Sequence, residues 1–225
     1  MTEKLKPIYL FADSQLLFWH PGGNPFLLTL RKLIASESCR AAYVGASNDD
    51  NPVYYSIFES AMESIGVTDH RMIPSSPSEE EMSFIEQAHL ILLSGGDVEK
   101  GWKAFERNGL KQLITRRYQE GVLLIGISAG AVQLGMFACA ESDIRCENLF
   151  ATFSLVPFVI SAHDEKNDWS GLKQMLCKVE MKVNGIGIPT GGGMVYHADH
   201  TVEPIRYPLY EFALDANSSS LLHPQ

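Results

Sequence analysis

A serine between two glycines is the strongest chemical signal in this sequence. Residues 126–130 read GISAG, which fits the pattern G-x-S-x-G, and they lie between an apolar run and a predicted apolar helix. In this pattern the glycines let the chain turn sharply from a strand into a helix, so that the serine hydroxyl is exposed above the edge of the sheet. The pattern predicts that Ser128 is a nucleophile and that the backbone N–H of Ala129 stabilises a negatively charged carbonyl oxygen.

A second cluster of small residues follows a different apolar run. Residues 94–97 read SGGD and come directly after the predicted strand at 89–93. Small residues let a substrate approach the backbone, and the N–H groups of such a turn can supply a second donor to the same oxygen. We therefore expect substrate contacts at Gly95 and Asp97.

A serine hydroxyl needs a base, and His163 is the best placed of the seven histidines. It comes shortly after the predicted strand at 155–160, and active-site residues of parallel sheets gather at the carboxyl ends of the strands. An esterase of the α/β-hydrolase type would instead take its base from a late histidine, His197 or His200. That class fits less well, because the chain is short for it and contains no HGGG-type loop.

The elements that must hold these residues alternate between strand and helix. The predicted strands lie at 7–12, 41–44, 89–93, 122–125, 155–160, 185–188 and 194–196, and the predicted helices at 26–34, 53–65, 78–88, 103–120 and 129–138. Ser78 and Glu81 form a capping-box pattern at the start of one of these helices. Apolar strands alternating with helices predict a three-layer α/β/α fold with a mainly parallel sheet. We expect one domain over residues 1–225, with a frayed tail at 217–225.

Composition excludes several kinds of partner. The 225 residues include 18 Lys and Arg against 27 Asp and Glu, a net charge of −9, which argues against binding to nucleic acid or to an anionic membrane. No apolar stretch reaches the length of a membrane span, and the N-terminus has no secretory signal pattern. We therefore expect a cytoplasmic monomer or homodimer with four reduced cysteines. No metal site or organic cofactor is predicted, since no dinucleotide or phosphate-loop pattern occurs.

Three segments together resemble the peptidase E and cyanophycinase family of serine hydrolases. They are SGGD at 94–97, GISAGA at 126–131 and SLVPFVISAH at 154–163, and the likeness begins at the HPGGNPF loop near residue 20. The resemblance implies a class I glutamine-amidotransferase-like (flavodoxin-like) architecture. It implies Ser128 as the nucleophile, His163 as the general base, and the N–H groups of Gly96 and Ala129 as oxyanion donors. It also implies a small peptide substrate, often with aspartate on the acyl side (Asp-X).

The third catalytic residue is where the sequence departs from that family. Family members commonly carry an acidic residue just after the late glycine-rich strand, and Thr190 stands at that position here. Threonine can orient an imidazole but cannot stabilise an imidazolium as a carboxylate does. Asp143, which lies where some members have an important aspartate, is another candidate, and Glu203 is a more remote one.

Two further questions stay open at this point. An acidic substrate would need a basic contact, for which Arg145, Arg206 and Lys166 are candidates near the relevant segments. Thr190 also motivates a non-enzymatic alternative, a binding or regulatory protein on a retired hydrolase scaffold. A glutamine amidotransferase is disfavoured, because its thioester chemistry needs a cysteine where this chain has Ser128.

Overall fold

A seven-stranded sheet forms the centre of the molecule. The computed structural model describes residues 5–34, 36, 38–140, 142–143, 145–213 and 219–224. The strands are β1 (Ile8–Phe11), β2 (Arg40–Val44), β3 (Asp69–Ile73), β4 (Leu90–Leu93), β5 (Leu123–Ile127), β6 (Phe137–Ala138), β7 (Phe150–Ala151), β8 (Phe158–Ala162), β9 (Asn184–Ile188), β10 (Gly193–Tyr196), β11 (Val202–Ile205), β12 (Leu209–Phe212) and β13 (Ser219–Leu222). The helices are α1 (Leu27–Arg31), α2 (Pro52–Ser64), α3 (Glu79–Glu86), α4 (Val98–Arg107), α5 (Leu110–Gln119), α6 (Ala129–Leu134) and α7 (Ser170–Lys178).

The central sheet has the order β11-β10-β1-β5-β4-β2-β3, and its five strands from β1 to β3 are parallel. Alternate residues of β1 enter different cores: Ile8 and Leu10 face α3 to α6, whereas Tyr9 and Phe11 face α1 and α2. Because both faces of the sheet are covered by helices, the central strands are apolar throughout. The predicted three-layer α/β/α architecture with a mainly parallel sheet is confirmed.

A second sheet of four strands lies beside the first, with the order β13-β12-β9-β8. The sequence places β8 and β9 in the same sheet as the other strands, and this is wrong, because they pair with each other and with β12. Within the predicted tail, residues 219–222 form β13, which pairs with β12. Residues 217, 218 and 225 lie outside the described residues.

Two predicted helices are interrupted before the apolar pattern that predicts them ends. The predicted helix at 103–120 is two helices, α4 and α5, because Gly109 adopts the left-handed conformation with φ +72° and separates them. The predicted helix at 129–138 ends at Leu134, since Gly135 is extended and leads into β6. The capping box at the start of α3 is confirmed: Ser78 accepts the N–H of Glu81, and the Glu81 carboxylate accepts the N–H of Ser78.

The cysteines differ from the prediction of four reduced thiols. Cys139 and Cys146 form a disulfide within the loop that connects β6 to β7. Cys39, which is buried, and Cys177, which is exposed, are free thiols. The sequence does not indicate this disulfide, because the two cysteines are seven residues apart and come close in space only when β6 and β7 pair. None of the helices in the described part of the chain is both long and apolar enough to cross a membrane.

Candidate active site

Ser128 occupies the tight turn between β5 and α6. Its φ of +50° and ψ of −110° lie in a region that costs a non-glycine residue about 1–3 kcal/mol. The flanking glycines are required by close approach: a Cβ added to Gly126 would lie 2.6 Å from the Gly130 carbonyl carbon, and one added to Gly130 would lie 2.2 Å from the Leu93 oxygen. The N–H of Ser128 donates to the Phe11 carbonyl at 2.9 Å, which ties the turn to the neighbouring strand β1. The sequence pattern therefore corresponds to a strained strand-to-helix turn, which is the geometry that the nucleophile prediction requires.

His163 comes to the serine from the second sheet. It follows β8 directly, and its N–H donates to the carbonyl of Ile188, the last residue of β9, at 2.8 Å. At the other end of β8, the Phe158 carbonyl accepts the N–H of Met136, which follows α6, at 3.0 Å. The Ser128 hydroxyl oxygen lies 2.7 Å from Nε2 of His163. The predicted pair is thus brought together, although its two members stand on different sheets.

The backbone N–H groups of Gly96 and Ala129 have no acceptor among the residues that the structure describes. Gly96 has φ +127°, and a Cβ added there would lie 2.1 Å from the carbonyl oxygen of Ser47. The same carbonyl accepts the N–H of Asp97 at 2.7 Å. The loop that carries Ser47 therefore holds the backbone of the SGGD turn in place, and only glycine fits where the loops touch.

A buried glutamine supports that contact. Gln133 is fully buried, and its Nε2 donates to the Ser47 hydroxyl at 3.1 Å and to the Val98 carbonyl at 2.9 Å. This side chain links α6 both to the Ser47 loop and to the start of α4. The sequence patterns do not predict a role for Gln133, although one polar residue inside the apolar run of α6 is a signal that points to it.

Of the other predicted site residues, Gly95 contacts the serine, whereas Asp97 and Asp143 bind backbone N–H groups of their own segments. Gly95 lies against Ser128, since a Cβ added to it would be 3.3 Å from the Cβ of that serine. The Asp97 carboxylate caps α4 by accepting the N–H of Lys100 at 2.9 Å. Asp143 accepts the N–H of Asn148 at 2.7 Å, and backbone hydrogen bonds there hold the pKa of Asp143 below its ordinary value.

A carboxylate beside Thr190 was missed by the sequence analysis. One oxygen of Glu165 accepts the Thr190 N–H at 3.2 Å, and its other oxygen is buried without a partner among the described residues. Burial raises the pKa of Glu165, but hydrogen bonds from Thr190 and from its own N–H, with the charge of His163, outweigh burial and leave that pKa below its ordinary value. Glu165 is only two residues from His163, but its contact with Thr190 depends on the fold and not on that spacing.

Two cavities meet at the Ser128–His163 pair. The first, here called the aromatic cavity, has a volume of about 440 Å³ and includes Tyr43, Tyr54 and Phe58 in its lining. The second, here called the polar cavity, has a volume of about 530 Å³. Its polar lining residues include Asp143, Asp164, Asn167, Ser170 and Gln174. Gly96, Ser128 and His163 line both cavities, so a bound chain could extend to either side of the serine.

The late histidines lie in the hairpin of β10 and β11 with partners of their own. Nε2 of His197 is 2.8 Å from the Glu203 carboxylate, and Nδ1 of His200 is 2.6 Å from the Tyr196 hydroxyl. The serine is paired with His163 instead, which disfavours the esterase arrangement. Glu203 therefore pairs with His197 and not with His163, the imidazole beside the serine.

The three basic residues considered for an acidic substrate lie outside both cavities. Arg145 is exposed and stands 3.9 Å from Glu147. Arg206 stacks on the Tyr207 ring and is 3.5 Å from the Gly191 carbonyl. Neither cavity is lined by a lysine or arginine among the described residues.

One group in the described part of the chain has metal-ligating side chains close together, and it lies away from the serine. Ligand atoms of Glu59, Glu63 and His70 are within 4.8 Å of one another. The Glu59 and Glu63 carboxylates lie 3.8 Å and 3.9 Å from the two ring nitrogens of His70, and Nδ1 of His70 is 3.0 Å from the Tyr55 hydroxyl. The cluster therefore has a structural explanation without a metal.

A serine hydroxyl bonded to an imidazole, as Ser128 is to His163, is the arrangement of nucleophile and base that serine hydrolases use. Residues 24–203 match the sequence profile of peptidase family S51, and the chain belongs to that family. The resemblance to peptidase E seen in the sequence is confirmed.

Comparison with individual proteins agrees with this family. The uncharacterized peptidase YgaJ of Bacillus subtilis (strain 168) is 26% identical over 127 residues, which are 53% of this chain and 55% of that protein. The chain thus spans about half the length of the curated relative that it matches.

Two solved structures share the fold. A peptidase from an acI-B1 Actinobacterium matches 100% of this chain and 96% of its own, with a TM-score of 0.76 and 17% identity. A candidate peptidase E from Listeria monocytogenes EGD-e matches 89% of this chain and 98% of its own, with a TM-score of 0.64 and 17% identity. At this identity the likeness concerns the fold alone.

Proposed function

We propose that this protein hydrolyses small peptides through an acyl-enzyme formed on Ser128. The observation that carries the proposal is the distance of 2.7 Å between the Ser128 hydroxyl and Nε2 of His163. Membership in peptidase family S51 supports the same chemistry. A contact of this length is within the reach that proton transfer requires.

The proposed reaction has two steps. His163 accepts the Ser128 proton as the hydroxyl attacks the amide carbonyl, and the N–H groups of Gly96 and Ala129 donate to the oxyanion. His163 then gives the proton to the leaving amine, which departs and leaves an ester on Ser128. Water attacks that ester with His163 again acting as the base, which releases the acid product and restores the serine.

Glu165 is our proposed third member of the site in place of Thr190 or Asp143. Its anchored, ionised carboxylate lies beside Thr190, the position that the resemblance assigns to an acid, and its second oxygen is buried and free of other bonds among the described residues. A carboxylate there would stabilise the imidazolium that forms when Ser128 loses its proton. Thr190 would then hold the acid and would not replace it.

Covalent labelling with a fluorophosphonate probe tests the nucleophile. We expect intact-protein mass spectrometry to find one adduct, located on Ser128, which disappears in Ser128→Ala and forms far more slowly in His163→Ala. His200→Ala is the matched control and should label like the wild type, whereas its loss of labelling would favour the esterase arrangement. Absence of labelling in the folded wild-type protein would contradict the proposal and favour a retired scaffold.

A further inference from the structure

The aromatic cavity has more apolar surface than catalysis by Ser128 and His163 requires. Its volume of about 440 Å³ falls in the range of about 300–1,000 Å³ that is usual for ligand pockets. Most of its side chains away from the serine are apolar or aromatic: Leu17, Tyr43, Tyr54, Ile57, Phe58 and Leu92. This lining provides a large apolar surface directly beside the nucleophile.

Tyr54 belongs to this surface but does not pack into the hydrophobic core. It lies in the first turn of α2 and is 52% exposed, although its side chain lines the aromatic cavity. The buried core next to it takes Phe58 from the same helix, with Tyr55 and Ile57 packed against it, and leaves Tyr54 out. An exposed aromatic ring at the mouth of a cavity gains contact area only when something occupies that cavity.

The charges around the aromatic cavity disfavour an acidic occupant. Among the described lining residues the only carboxylate is Asp13, which already accepts the N–H groups of Gln15 at 2.8 Å and Gly191 at 2.7 Å, and there is no lysine or arginine. A substrate carboxylate placed there would lose its water without gaining a cation and would be repelled by Asp13.

The polar cavity offers no better place for an acidic side chain. It is lined by the carboxylates of Asp143 and Asp164, and again no lysine or arginine appears among its described lining residues. Asp164 accepts the side-chain N–H of Asn167 at 2.8 Å, and backbone N–H groups keep Asp143 ionised. Both sides of the serine therefore disfavour negative charge, and the polar cavity suits the ammonium group of a peptide.

We propose that the substrates are small peptides with a large apolar or aromatic side chain next to the scissile bond, which binds in the aromatic cavity. This inference rests on the proposed peptidase function of Ser128. It replaces the Asp-X preference that the family resemblance implies, because that preference needs a basic contact and neither cavity supplies one among its described residues. The cavity lining, and not the catalytic pair, sets the choice of substrate.

The test compares dipeptides that differ in one side chain. Leu, Asn and Asp are similar in size, and Phe is larger, so X-Leu and Leu-X dipeptides with these residues at X separate polarity from volume. At one of the two positions we expect kcat/KM to be at least about tenfold higher for Phe and Leu than for Asn, and lowest for Asp. Cleavage of the Asp dipeptides as fast as the Leu dipeptides at both positions would overturn the proposal.

Fluorophosphonate labelling of the same preparation separates the two ways to fail. A protein that labels on Ser128 but cleaves none of these dipeptides has an active nucleophile, and the proposed substrate class is overturned. A protein that neither labels nor cleaves overturns the peptidase function, and the substrate class with it.

Variants at the exposed ring test the cavity itself, and they leave the core intact. Tyr54→Ala should lower kcat/KM for the Phe dipeptide about tenfold and change the value for an Ala dipeptide less than about twofold. Val53→Ala is the matched control, because Val53 is 65% exposed on the same turn and does not line the cavity. Tyr54→Arg should raise the ratio of Asp to Leu cleavage. Equal effects of Tyr54→Ala on the Phe and Ala dipeptides would contradict the assignment.

Discussion

At the scale of single residues, the site combines a strained serine with a carboxylate that the sequence pattern does not reveal. The elbow at Ser128 could be predicted because G-x-S-x-G describes a local turn, and local geometry depends on neighbouring residues. The carboxylate of Glu165 could not, since its place is set by the Thr190 N–H, twenty-five residues away along the chain. Proximity between strand ends is decided by the fold and not by spacing.

Replacing the Glu165 carboxylate tests its proposed role at the residue scale. Glu165→Gln keeps the shape and removes the charge, so we expect kcat/KM to fall at least about tenfold, since the imidazolium loses its stabilising charge. The part of the acid limb that reflects protonation of Glu165, whose pKa lies below its ordinary value, should disappear, because an amide does not titrate. Steady-state kinetics across pH measure both changes.

Two controls keep this test specific. Glu165→Asp retains the charge and should recover part of the activity. Asp168→Asn changes an exposed carboxylate of the same loop, which pairs with Lys173 at 2.7 Å, and should leave the pH profile unchanged. A Glu165→Gln enzyme with wild-type kinetics at every pH would show that the carboxylate does not act on the base.

At the scale of secondary-structure elements, the site depends on how two sheets and two loops meet. Buried apolar runs predicted most central strands, because strands covered on both faces are apolar throughout. The same runs could not predict that β8 and β9 leave the central sheet, since strand pairing is a long-range choice. The break between α4 and α5 was missed because an isolated glycine is compatible with a helix at a cost of about 1 kcal/mol.

The contact between the SGGD turn and the Ser47 loop gives a prediction at the element scale. In Gly96→Ala the new methyl group would lie 2.1 Å from the Ser47 carbonyl oxygen, so the turn must move and misplace its N–H. We expect kcat to fall about 100-fold, as on loss of one oxyanion donor. Kinetics and urea denaturation together measure the effect.

Gly66→Ala is the matched control for that variant. Gly66 also has a positive φ, +76° against +127° at Gly96, but an added Cβ has no neighbour within 4 Å. It should lose stability, by about 1 kcal/mol, and keep its activity. Equal activity losses in the two variants would show that backbone strain, and not the displaced turn, explains the result.

At the scale of the whole molecule, the buried tyrosines limit stability at high pH. Burial, with the nearby charge of Glu203 adding to it, raises the pKa of Tyr9 to about 12. Because the pKa of Tyr9 is raised in the folded state, its contribution to the free energy of unfolding is complete below the unfolded pKa near 10. This contribution is lost as the pH rises towards 12. We expect the free energy of unfolding to fall over this window, by roughly 3 kcal/mol from Tyr9 alone.

Urea denaturation between pH 8 and about 11.5 measures this loss, and Tyr9→Phe provides the comparison. The variant cannot ionise at that position, so its stability should fall less steeply than that of the wild type. Parallel curves for the two proteins would contradict the assignment of the alkaline loss to Tyr9.

We propose that this molecule cleaves peptides with Ser128, and hydrolysis of a dipeptide panel measures that cleavage. The panel contains apolar, neutral polar, aspartyl and isoaspartyl dipeptides, each incubated with wild-type protein and with Ser128→Ala. We predict cleavage by the wild type that disappears in the variant, with apolar dipeptides cleaved fastest. Cleavage that persists in Ser128→Ala, or no cleavage of any dipeptide by folded wild-type protein, would contradict it.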